Sequence, residues 1–105
     1  MGFFTSTTQI VELDGGNTVT MRKPTFGDTN AANSVSMHVV DGGFQLDWPR
    51  YRVEVLKRCI VAWEGPDFEG QLPTPENVDK LPIEIGSKLT EAVMELATAG
   101  PEAGN

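Results

Sequence analysis

The stretch Asp47-Trp48-Pro49-Arg50-Tyr51-Arg52-Val53-Glu54-Val55-Leu56-Lys57-Arg58-Cys59-Ile60-Val61-Ala62-Trp63-Glu64-Gly65-Pro66 decides the fold. Asp47 offers a carboxylate to the free amides of a helix start, and Pro49 falls in the first turn, where its missing N–H costs nothing. Trp48, Tyr51 or Arg52, Val55, Leu56, Cys59, Ile60 and Trp63 follow at spacings of three and four. That spacing predicts a wide apolar stripe on one helix running to Trp63. Arg50, Glu54 and Arg58 recur every four residues on the opposite side, so each adjacent pair attracts. Gly65-Pro66 ends the helix. This element is the expected spine of the core.

Upstream, Ile10-Val11-Glu12-Leu13 and Thr18-Val19-Thr20-Met21 are rich in β-branched residues and flank Asp14-Gly15-Gly16-Asn17, a strong hairpin signal. A two-residue Gly15-Gly16 loop would mix apolar and polar side chains on each face. A three-residue loop, Gly15-Gly16-Asn17, sets Leu13 opposite Val19 and Val11 opposite Met21, gathering four apolar side chains on one face with Glu12 and Thr20 on the other. Asparagine tolerates the positive φ at the end of such a loop. An isolated hairpin is marginal in water, so this face is expected to pack on Val55, Leu56, Cys59 and Ile60. Pro24 ends the second strand.

Between the hairpin and the spine, Asp28 can cap a helix whose inner edge is Ala31, Val35 and Met37 or His38, and Val35 to Val40 reads equally as a short strand. Asp41-Gly42-Gly43 stops whatever precedes it. Downstream, Phe68 sits in a loop, Thr74-Pro75-Glu76 opens a short helix that Pro82 ends, and a last helix runs from Pro82 to about Ala97. Its apolar edge is Leu81, Ile85, Leu89, Ala92 or Val93, and Leu96, with Glu84, Lys88, Glu91 and Glu95 outward. Gly86 within it suggests close packing. The sum is an α+β fold, an N-terminal β-hairpin on a layer of two to three helices, in a single domain over residues 1–105 with flexible tails at 1–7 and 98–105.

The 105 residues are 39% hydrophobic and 22% charged, the balance of a globular protein. The net charge of −7 argues against a phosphate backbone as partner. Residues 1–63 hold six acids and six bases, whereas 64–105 hold nine acids against Lys80 and Lys88. That acidic half either keeps the protein soluble or steers a basic partner. No apolar run approaches the roughly 18 residues of a membrane span, and Met1-Gly2-Phe3-Phe4 lacks the basic and apolar regions of an export signal.

One cysteine and one histidine cannot build a zinc site, and Cys59 in an apolar run reads as a small buried hydrophobe without a base. No phosphate loop, dinucleotide fingerprint, HExxH, CxxC or GxSxG pattern occurs, and the pairs Asp67/Glu69 and Glu76/Asp79 lie beside turns, where acids are normally solvated caps. The expectation is no catalytic, cofactor-binding or metal-ligating residue, and no cofactor. Trp48 and Trp63 read first as completing the core, and the alternative is that Trp63 or Phe68 anchors a protein partner.

The segment from Leu56 to Pro66, with Leu72-Pro73-Thr74-Pro75-Glu76-Asn77-Val78-Asp79-Lys80-Leu81-Pro82 and a closing amphipathic helix, resembles small tail assembly chaperones encoded among the tail genes of long-tailed bacteriophages. The resemblance spans about residues 9–97. It implies a non-catalytic protein of the host cytoplasm that keeps an aggregation-prone tail protein soluble by protein–protein contact, with no nucleic acid and no membrane as partner and a homo-oligomer left open. The alternative it implies is a structural virion component, such as a head–tail connector or capsid accessory protein. The residues expected to make the contact are Trp63, Phe68, Glu84, Glu91 and Glu95, the aromatics for affinity and the acids for association rate.

Overall fold

A computed structural model describes residues 2–5 and 7–98. The elements run β1 (Thr8–Leu13), β2 (Asn17–Arg22), α1 (Phe26–Ser36), β3 (Met37–Val40), β4 (Gly43–Leu46), α2 (Trp48–Cys59), β5 (Ile60–Glu64), α3 (Pro75–Asp79) and α4 (Ile83–Thr98), with single 3-10 turns at Asp14–Gly16 and Pro66–Phe68. The fold is α+β. One antiparallel sheet has the order β1-β2-β5, and β3-β4 form a separate two-stranded ribbon. Of the tail expected over 98–105, Thr98 closes α4 and the rest lies outside the described residues, as do Met1 and Ser6.

The hairpin keeps the predicted faces but not the predicted register. Val11 stands opposite Val19 and Leu13 opposite Asn17, so the three-residue loop is Asp14–Gly16, one position earlier than the reading that included Asn17. Gly15 and Gly16 supply the left-handed backbone at φ of +79° and +81°. That releases Asn17 to stay extended and buried. Its Nδ2 donates to the Asp14 carbonyl and to Asp67 Oδ2, both at 2.7 Å, and its Oδ1 accepts from the Asp67 amide at 3.1 Å. Because the slip preserves parity, Val11, Leu13, Val19 and Met21 still share the buried face.

The spine helix ends at Cys59, not at Trp63. Ile60–Glu64 is a strand that pairs with the open edge of β2, with Val19 opposite Trp63 and Met21 opposite Ile60. A bulge between those pairs leaves Val61 without a partner and exposed. It also turns Ile60 and Trp63, three residues apart, toward the same side. The spacing that predicted one more helical turn is thus the spacing of a bulged strand, and the β-branched pair Ile60-Val61 suits it.

α1 is capped by Thr25 rather than Asp28, which occupies the third helical position and closes a reciprocal capping box. The same carboxylate binds the Arg22 guanidinium at 2.5 and 3.0 Å, while Arg22 Nη2 donates to the Arg58 carbonyl at 2.7 Å. The Arg22 hydrogen bonds, helped by those from Thr25 and opposed by partial burial, hold Asp28 down at about 2. The buried face of α1 is Ala32 and Ser36, one residue on from the predicted edge, and Val35 is exposed. Each reading of the next stretch holds over part of its span: the helix keeps Val35 but ends at Ser36, short of Met37 and His38, and the strand is Met37–Val40.

A single cluster unites the hairpin face with Val55, Leu56 and Cys59 of α2, Val78 of α3, and Leu89, Val93 and Leu96 of α4. Gly86 serves no close packing, since a Cβ there would meet nothing within 4 Å. Leu56→Ala should cost about 2–5 kcal/mol, the range for a buried leucine, read from chemical denaturation midpoints. Asn17→Ala should cost about 1–3 kcal/mol by stripping partners from the Asp14 carbonyl and Asp67 amide. A loss below about half a kilocalorie, the size of an ordinary surface change, would show that the Asn17 bonds do not hold the hairpin.

Candidate functional site

Leu56 and Val78 are buried at the base of an open groove between α2 and α4 that also reaches α3 and the Leu81-Pro82 turn. The groove holds about 760 Å³, and Val53, Leu81 and Met94 extend its apolar lining. Gly86 belongs to the lining as well, and its missing side chain leaves the α4 wall low at that point. Ile83 stands 84% exposed at one end.

The charged groups on the groove are Arg52, Asp79, Glu91 and Glu95. Lys57 Nζ satisfies Asp79 at 2.9 Å and also lies 3.7 Å from Glu54. Glu91 and Glu95, one helical turn apart and exposed, have no ion pair among the described residues. Two free carboxylates against one guanidinium give the groove a net negative field in the acidic half of the chain. An apolar floor with an acidic rim can take the apolar side of a peptide or helix that carries basic residues.

The five residues expected to contact a partner do not form one patch. Glu91 and Glu95 flank the groove. Glu84 is exposed in the first turn of α4 and does not line it. Trp63 and Phe68 stack on each other with ring centres 4.5 Å apart and planes 8° apart, and both pack half-buried against the core. Trp63 Nε1 donates to the Gln71 carbonyl at 2.5 Å, which fixes the loop after the second 3-10 turn. The more open tryptophan is Trp48, 54% exposed and tilted against Tyr51. The sequence singles out none of Val53, Ile83 and Met94, and Gly86 only as a position of close packing. The signal was there, because large apolar residues lying off a helix's core stripe need a reason to be apolar.

Cys59 is buried and burial pushes its thiol up to about 11. No helix among the described residues is long and apolar enough to cross a membrane, and no three acidic, histidine or cysteine side chains gather there as metal ligands. Comparison with known proteins finds no match to any family model, any curated protein or any solved structure.

The thiol at Cys59 should react with an aromatic disulfide reagent at pH 8 at least about a hundredfold more slowly in the folded chain than after denaturation, as the thiolate fraction dictates. Cys59→Val should fold with nearly unchanged stability, because volume-conserving apolar exchanges are tolerated. A fast-reacting native thiol would place Cys59 at the surface and reopen it as a nucleophile.

Proposed function

We propose that this chain is a non-catalytic bacteriophage assembly protein, tail assembly chaperone-like, that binds a tail component in the host cytoplasm through the groove between α2 and α4. The observation that carries the reading is the groove itself, open, apolar at its base and acidic at its rim. The segments behind the resemblance support it from two sides. Leu81-Pro82 forms one lip of the groove, and Trp63-Glu64-Gly65-Pro66 closes β5 at the turn that Asn17 holds. A chaperone must shield apolar surface on its client without offering a second aggregation surface. A groove whose floor is apolar and whose rim repels other copies by charge meets both demands.

A structural role in the virion is the second reading, favoured by the projecting β3-β4 ribbon, whose exposed apolar side chains suit a permanent neighbour. The two readings part in one experiment. Affinity capture from infected cells, set beside protein analysis of purified particles, should find the chain bound to tail precursors and missing from particles. Presence in particles at a fixed copy number would replace the chaperone reading with the structural one.

With the captured component in hand, Glu91→Lys/Glu95→Lys should slow association by about tenfold or more at low ionic strength and flatten its salt dependence, because rim charges act on the encounter rate. Gly86→Leu should fill the groove and raise the dissociation rate while the helix stays intact, since the site is open and the backbone unstrained. If both variants bind like the wild type in stopped-flow or surface-binding kinetics, the groove is not the docking site.

A further inference from the structure

Cross-strand partners in an antiparallel pair point to the same side of the sheet. In the β3-β4 ribbon Met37 pairs with Leu46 and Val39 with Phe44, while His38 pairs with Gln45 and Val40 with Gly43. One face is therefore Met37, Val39, Phe44 and Leu46, four apolar side chains without a charge among them. Val39 is 76% and Phe44 74% exposed, and Leu46, at the base, is the one ribbon residue that is partly buried. A two-stranded ribbon is marginal in water unless its apolar face packs on something, and nothing among the described residues packs on the outer half of this one.

We infer that this face is where two copies of the chain meet, ribbon against ribbon. Three observations select a second copy as the occupant. The net charge of −7 lies wholly in residues 64–105, so copies repel through that part of the surface, whereas the ribbon belongs to the charge-balanced part and its ionisable groups are only His38, on the opposite face, and Asp41, at the turn. Approach through the ribbons meets little repulsion. The face is also self-complementary about a two-fold axis across the strands, which lays the outer pair Val39 and Phe44 of one copy over the inner pair Met37 and Leu46 of the other. That same axis sends the two Asp41 carboxylates to opposite ends, while the arrangement with the turns together would oppose them. Edge-to-edge pairing of strands would leave Val39 and Phe44 in water, so the face, not the edge, is the contact.

Size sets the strength. Two four-residue ribbons cover far less than the roughly 1,600 Å² of a standard interface, so the association is weak and concentration-dependent. The expected dissociation constant lies between about 10 µM and 1 mM, the weak end of protein association.

Sedimentation equilibrium on the full chain across about 10 µM to 1 mM, the window set by that affinity, tests the assignment. The wild type should rise from the monomer mass toward twice that mass, and Val39→Thr/Phe44→Ser should stay monomeric over the same range. Both positions are exposed, so thermal unfolding of that variant should match the wild type, and Phe44→Ser alone should weaken the association in the same direction. His38→Ser/Gln45→Ser, on the opposite face, should associate as the wild type does. A wild type that stays monomeric throughout assigns the face to a different partner and overturns the proposal. So does association that survives Val39→Thr/Phe44→Ser or is lost in His38→Ser/Gln45→Ser.

Discussion

The geometry of this protein depends on the amide side chain of Asn17. It enters the interior at the first residue of the central strand and bonds backward to the hairpin turn through Asp14 and across to the turn after β5 through Asp67. A buried amide left without partners would be costly, so the two turns must stay together for the strand between them to stay in place. Gly65 shows how tight the junction is. A Cβ there would lie 2.6 Å from Asn17 Cα, and its φ of +139° suits glycine alone. The register of β1 on β2 and the place where β5 leaves the sheet are thus set at one point.

Arg22 performs the matching task at the other end of β2. Its guanidinium joins the capping box of α1 through Asp28 and the last turn of α2 through the Arg58 carbonyl, which a cation also favours as the negative end of a helix. Between Asn17 and Arg22 the inward side chains are purely apolar, and the helices close over them. The groove and the ribbon, the two surfaces proposed for partners, lie at the margin of this frame. The outer half of the ribbon is needed by no part of the core, whereas the base of the groove shares Leu56 and Val78 with it.

Much of the frame is legible in the sequence because short-range rules act there. Alternation in residues 10–21 assigns the hairpin faces, Asp47 and Thr74 with Pro49 and Pro75 mark helix starts, and Leu89, Val93 and Leu96 mark the buried edge of α4. The failures have physical causes. Ile60 and Trp63 are three apart on a bulged strand, a spacing that helical periodicity claims as its own, and nothing local announces that β2 has an open edge to fill. Asp28 looks like a cap because Thr25, three residues earlier, completes a box in which either residue can be read first. Only part of the candidate site could be read in advance. Glu91 and Glu95 are visible as an outward acidic pair, but the groove arises from the spacing of three helices, which no single segment encodes.

The junction at Cys59 and Ile60 bears on mechanics. Helix α2 passes into β5 with no connecting residue, so one wall of the groove and one strand of the sheet are a single stiff length of backbone. Leaning that wall outward would shear the β2-β5 ladder and pull at the Arg58 carbonyl held by Arg22. The wall therefore behaves as a fixed jaw, and any accommodation of an incoming segment falls to α4 and the short α3 turn, which meet the groove without being covalently continuous with the sheet. Under the proposed role, such a groove would select for the width of what enters and lose little conformational freedom in taking it up.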